Sequence, residues 1–151
     1  MGLYYEDVEV GQVFETPGRT ITEADVVAFA ALSSDWNPIH TDAEFAKATP
    51  FGRRIAHGNL CIAIAMGLAV RLGLFTETTI AVPGLEWSFR APVFIGDTVH
   101  VLMRIAGKRL TSSGDRGLLD RRIQLVNQRG DVVQEGTAPL LIKVRSPKKE
   151  G

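Results

Sequence analysis

Between residues 57 and 75 the chain is apolar nearly all the way round a helix. Leu60, Ile62, Ala63, Ile64, Ala65, Met66, Leu68, Ala69, Val70 and Leu72 leave no clear polar face. A helix of that kind is buried on most sides, so the pattern predicts one helix at the centre of the fold with other elements wrapped around it. Gly58, Gly67 and Gly73 weaken it as an isolated helix but let neighbouring backbone come close. Downstream the period falls from near four to two. Val99, Val101, Met103 and Ile105 recur at every second position, as do Ile123 and Leu125. Residues 80–90, 98–110, 118–127 and 132–144 read as four strands, separated by Gly-Asp and Ser-Gly turn signals. Consecutive strands joined by short turns pair largely antiparallel.

Upstream, residues 11–22 read as a short strand with a turn inside it. Thr22 then caps a helix, with Asp25 three residues on in the capping-box position. Val26, Val27, Phe29, Ala30 and Leu32 supply its apolar face, and Ser33-Ser34-Asp35 ends it. Residues 35–56 are irregular and polar. Asn37-Pro38 and Thr49-Pro50-Phe51-Gly52 break the pattern, and one or two helical turns fit between them from Asp42 to Ala48. An aperiodic segment of this length in a compact domain is usually functional or disordered. Trp36, Ile39, Phe45 and Phe51 argue against disorder. The expected fold class is α+β, an antiparallel sheet wrapped around one long central helix. Residues 1–151 are expected to form a single domain with a frayed polar tail at about 146–151.

Charge narrows the function classes. Lys plus Arg equals Asp plus Glu, 17 each, so broad attraction to nucleic acid or to an anionic membrane is not expected. The longest apolar stretch, 60–70, falls far short of the roughly 20 residues that span a bilayer. The N-terminus lacks the basic and apolar regions of a secretory signal. The one cysteine, Cys61, cannot make an internal disulfide. It reads as a small buried hydrophobe in a reducing, cytoplasmic setting.

The densest polar chemistry is Ser33-Ser34-Asp35-Trp36-Asn37-Pro38-Ile39-His40, followed by Ala56-His57-Gly58-Asn59. Alone, Asp35 could cap a turn and His40 could lie exposed. Together, a carboxylate can orient a water and a neutral imidazole can take its proton near pH 7. Asn37, extended before Pro38, braces the pair, and Pro38 fixes their separation. Gly58 falls in the first turn of the apolar helix, where N–H groups are free and the dipole is positive. It is the candidate donor for a developing oxyanion. His57 is either a second base or a structural hydrogen-bonding group at the helix start. A metal site from His40, Asp42 and His57 has no supporting histidine or cysteine cluster, and no metal is expected.

Those residues also carry a resemblance. Phe29-Ala-Ala-Leu-Ser-Ser-Asp35-Trp-Asn37-Pro38-Ile39-His40 is similar to the signature of the MaoC-like hydratases, the (R)-specific enoyl-CoA hydratases of the hotdog fold. Arg54-Ile-Ala-His57-Gly58 resembles that family's entry into its central helix, and Phe89-Arg-Ala-Pro92-Val93-Phe-Ile-Gly96-Asp97 its recurring strand and turn. The landmarks span residues 10–140 or so. One departure is Ser34, where the family usually has glycine, which implies an altered backbone at Asp35 or a narrower pocket.

The resemblance implies addition of water to a trans-2-enoyl-CoA, giving the (R)-3-hydroxyacyl-CoA, or the reverse. Asp35 and His40 would activate the water, the Gly58 N–H would polarise the thioester carbonyl, and Asn37, Pro38 and His57 would support them. No separate cofactor is implied, because coenzyme A arrives with the acyl substrate. A homodimer is implied, with a dimer of dimers also open. Arg53, Arg54, Arg90, Lys108 and Arg109 are candidates for the coenzyme's phosphates. A hotdog thioesterase and a non-catalytic acyl-CoA-binding module remain as alternatives. Thioesterases of this fold commonly place a carboxylate on the central helix, and residues 58–73 contain none.

Overall fold

The computed structural model describes residues 2–145; the tail expected at 146–151 lies outside them. After a 3-10 turn at Tyr5–Asp7 come strands β1 (Val13–Glu15) and β2 (Arg19–Thr20), then helices α1 (Glu23–Ser33), α2 (Pro38–Thr41), α3 (Ala43–Lys47) and α4 (Gly58–Arg71). Six strands follow: β3 (Thr79–Ala81), β4 (Glu86–Phe89), β5 (Thr98–Leu110), β6 (Arg116–Val126), β7 (Val132–Thr137) and β8 (Leu140–Lys143). They form an antiparallel sheet in the order β1-β5-β6-β7-β4; β2 also pairs with β5, and β8 pairs with β6 and β3.

The core lies between the sheet and α4. Val99, Val101, Met103 and Ile105 of β5 and Leu119, Ile123 and Leu125 of β6 are fully buried, meeting Leu60, Cys61, Ile64, Ala65, Leu68 and Ala69 of α4. The period-two alternation therefore marks the inner face of the sheet as expected. The helix is less enclosed than its composition implies. Asn59, Ala63, Gly67 and Val70 form an open stripe, with Val70 66% exposed.

Two strands expected to be continuous are broken. Residues 80–90 divide at Val82–Leu85, which contains Pro83 and Gly84, and their halves pair with different partners, β3 with β8 and β4 with β7. Residues 132–144 divide at Ala138-Pro139. Proline has no N–H to give to a ladder, and both halves still pair with β6.

The capping box on α1 forms as expected. The Thr22 hydroxyl accepts from the Asp25 N–H at 3.1 Å and the Asp25 carboxylate accepts from the Thr22 N–H at 2.8 Å. Its apolar face is narrower than expected: Val26 and Ala30 are buried, but Val27 and Leu32 are 44% and 84% exposed. Asn37-Pro38 starts a helix and does not break one. The Asn37 side-chain oxygen accepts from the Ile39 N–H at 3.2 Å, and Pro38 occupies the first helical position, where a missing N–H costs nothing.

Candidate active site

The segment from Ser33 to His40 is held by its own polar atoms. The Ser33 hydroxyl donates to the Phe29 carbonyl at 2.6 Å, and the Asp35 N–H donates to the Ser33 hydroxyl at 3.2 Å. Ser34 between them has φ 63°, the single positive φ outside glycine among the described residues. This is the left-handed position that commonly ends a helix and is usually glycine. Serine here adopts the left-handed conformation that glycine usually takes, and Ser34 does not line the adjacent cavity.

Asp35, His40, His57 and Gly58 converge on one cavity of about 500 Å³. Asn37 and Pro38 stand behind it. The Asn37 N–H donates to the Asp35 carboxylate at 3.3 Å, while its side chain caps the short α2 that carries His40. His40 Nδ1 lies 2.8 Å from the Ile55 carbonyl. A carbonyl can only accept, so Nδ1 bears the proton and the Nε2 lone pair is free. That Nε2 lies 4.0 Å from the Asp35 carboxylate, and the two side chains are 12% and 48% exposed. Burial pulls the His40 pKa below its ordinary 6.5, with His57 adding to the effect; the Ile55 carbonyl and Asp35 pull the other way. His40 is therefore neutral at pH 7.

His57, the N-cap of α4, is 1% exposed. Its Nε2 donates to the Asp35 backbone carbonyl at 2.9 Å, its ring stacks on His40 at 3.9 Å, and Phe29 meets it edge-on at 4.9 Å. Its Nδ1 is buried without a partner. His57 thus ties the Asp35 backbone to the start of the central helix.

Gly58 is the first residue of α4, so its N–H has no carbonyl one turn back. Its carbonyl accepts from the Gln134 amide at 3.3 Å, and Gln134 in turn accepts from the Trp87 indole at 2.9 Å. A Cβ at position 58 would sit 2.6 Å from the Phe89 ring, so the glycine lets that ring pack over the helix start. Gln134 and Phe89 line the cavity with Phe51 and Pro92. Gln134 was not marked as a site residue by the sequence. Its signal was faint: a polar residue beside Val133 inside an apolar strand.

Asp35, His40 and His57 each offer a ligand atom, all within 4.8 Å of one another. Asp42 is not part of this cluster, because its carboxylate caps α3 through the Glu44 and Phe45 N–H groups. The 4.0 Å between His40 and Asp35 exceeds the roughly 3.4 Å between ligands of a tetrahedral zinc at about 2.1 Å. It suits two groups sharing one hydrogen-bonded water. Cys61 is buried and its thiol is pushed up to about 12, which leaves it inert.

The candidate cations separate by position. Lys108 donates to the Val8 and Tyr5 carbonyls at 2.6 and 3.2 Å. Arg54 is paired with Glu23 and reaches the His40 carbonyl, and Arg53 lies over the Phe94 ring at 3.9 Å. Arg90, paired with Glu135 at 2.8 Å, is the one of the five that lines the cavity. No helix among the described residues is long and apolar enough to cross a membrane.

The chain resembles known proteins along most of its length. The family model described as "MaoC like domain" matches residues 7–118. The 3-hydroxybutyryl-CoA dehydratase of Methylorubrum extorquens is 40% identical over 98% of this chain and 87% of its own length. The (R)-specific enoyl-CoA hydratase of Rhodospirillum rubrum is 38% identical over 69% of this chain and 70% of its own. The crystal structure of the MaoC-like dehydratase from Rhodospirillum rubrum superposes with a TM-score of 0.88 at 34% identity, covering 96% of this chain and 99% of that one. The fold is the hotdog, and the chain belongs to the MaoC-like family of hydratases and dehydratases.

Proposed function

We propose that the protein is an (R)-specific enoyl-CoA hydratase, acting on a trans-2-enoyl-CoA or in reverse as a 3-hydroxyacyl-CoA dehydratase. The observation that carries this reading is the free His40 Nε2 facing the Asp35 carboxylate across 4.0 Å, beside the N–H end of a buried helix. A water between them is oriented by Asp35. His40 takes one of its protons as the oxygen bonds to C3. The electron pair moves through C2 to the thioester oxygen, where the Gly58 N–H and the positive helix end stabilise the enolate. A proton then returns to C2 on the same face, and the C=O is restored. No step requires a further cofactor; coenzyme A is part of the substrate. Arg90 is the best placed of the candidate cations to meet its phosphates.

The relatives' names support the reaction class, and the (R) product follows the named (R)-specific relative. Family resemblance further suggests a homodimer, and the lone cysteine suggests a reducing compartment such as the cytoplasm. The test is to mix pure protein with crotonyl-CoA and follow the conjugated enoyl absorbance. Its loss, with no thiol released, is the expected result. Thiol release without hydration would make the protein a thioesterase. Binding without turnover across several chain lengths would make it a binding module.

A further inference from the structure

A second cavity, of about 250 Å³, lies against the C-terminal half of α4, between Met66 and Val70 of the helix, Phe75, Val82, and Leu140 of β8. Its lining is apolar apart from two threonines and Arg121. Arg121 sits on β6 at an inward position, between Leu119 and Ile123, and is 5% exposed. Its Nε donates to the Ala138 carbonyl at 2.8 Å, bridging the ladder where Pro139 has no N–H to offer. That staple uses one of five guanidinium donors. Nη1 has only a weak contact with the Met103 sulfur at 3.9 Å, and Nη2, enclosed by protein, has no partner. No carboxylate lines the cavity or pairs with Arg121 among the described residues. Burial brings the guanidinium down to about 10, so it stays cationic at neutral pH.

A buried, half-satisfied cation beside an apolar cavity is costly unless an anion completes it. The staple to Ala138 explains the Nε contact and leaves the terminal nitrogens unexplained. We propose that this cavity binds a carboxylate on an apolar stem, the carboxylate meeting the Arg121 guanidinium at the cavity wall and the stem packed against Met66, Val70 and Leu140. Its volume corresponds to about eight waters, enough for an acid of roughly six carbons. Val70 and Val82, both exposed, form the mouth.

The carboxylate can come from a free acid or from the far end of an acyl substrate. Gly58 and Met66 are separated by about 12 Å of helix rise. Arg121 and Leu125, the latter paired with the site residue Gln134, are about 13 Å apart along β6. An acyl chain spanning that distance needs roughly ten carbons at about 1.2 Å per bond. This second source alone rests on the hydratase reading.

Calorimetry of the full chain with hexanoate and with neutral 1-hexanol tests the site directly. Hexanoate should bind at least about tenfold more tightly than 1-hexanol, and Arg121→Met should erase the difference. Equal binding of the two by the unaltered protein overturns the proposal, and needs no variant that might misfold. Hexanoate binding unchanged in Arg121→Met overturns it equally. Hydration of trans-2-decenedioyl-CoA and of trans-2-decenoyl-CoA separates the sources. A preference for the dicarboxylic substrate that Arg121→Met abolishes assigns the carboxylate to the substrate. Hexanoate binding without that preference assigns it to a free acid. Crotonyl-CoA turnover by the unaltered protein is measured alongside, so failure of the hydratase reading is scored apart from failure of the carboxylate site.

Discussion

His40 owes its proposed role to two neighbours that never touch substrate. The Ile55 carbonyl fixes the tautomer, and burial keeps the ring neutral. Protonation removes the base, so hydration kcat/KM should fall as pH drops through the His40 pKa. That pKa is depressed, so the acid limb should be centred below pH 6.5, and a limb centred above 6.5 would contradict the assignment. The same shift affects stability. The folded state favours neutral His40, so its contribution is present above about pH 6.5, the unfolded value, and is lost as pH falls through the lower folded value. Asp35→Asn and His40→Ala should each lower kcat by ~10²–10⁴-fold while the circular dichroism spectrum stays native. Undiminished hydration in either variant would remove that residue from the mechanism. Ser34 gives a prediction of opposite sign. Its φ of 63° strains an L-residue, and glycine relieves that strain while losing more chain entropy on folding. Ser34→Gly should raise unfolding free energy by up to about 1 kcal/mol, read by urea titration, with kcat little changed.

Among the elements, β4 matters more than its four residues suggest. It brings Trp87 to Gln134 and Phe89 to the rim of the cavity, and among the described residues it reaches the sheet only through β7. That pairing depends on Gly136, where an added Cβ would lie 2.0 Å from the Glu86 carbonyl and 2.5 Å from the Trp87 ring. Gly136→Ala must push β4 outward. It should cost about 1–3 kcal/mol and raise KM by displacing Phe89, which urea titration and crotonyl-CoA kinetics will read together. An unchanged KM would mean that β4 does not position the rim. Short helix α2 is the other small element with a large effect. Asn37 and Pro38 start it, and it ends just past His40, so the proline read as a breaker is what aims the imidazole.

At the scale of the molecule, the sheet wraps one face of α4 and leaves Asn59, Ala63, Gly67 and Val70 open. Phe89, 58% exposed, lines the cavity, and Trp36, 54% exposed, directly follows the site residue Asp35. Exposed apolar groups beside a site are common at subunit interfaces, which agrees with the homodimer proposed from family resemblance. Sedimentation should give twice the 16.4 kDa chain mass; a monomer that hydrates crotonyl-CoA would refute the dimer and leave the chemistry intact.

Local pattern and local chemistry were enough for much of this protein. The central helix, the alternating faces of β5 and β6, the Thr22 capping box and the Asp35–His40 segment all depend on residues close in sequence, whose periods and hydrogen bonds are short-range. What lies far apart needed the tertiary structure. Strands 80–90 and 132–144 read as continuous because each half alone is a sound strand; in the packed sheet the halves of the first pair with different strands, β8 and β7, and the second breaks at Ala138-Pro139 with both halves on β6. His57 resolves into a group that holds Asp35 across 22 positions. Gln134 enters the site from 76 positions beyond Gly58. Arg121, one more charge in a polar stretch when read along the chain, is turned inward by the pleat of β6, because strand alternation sets the side but only the packed sheet and helix set what that side faces.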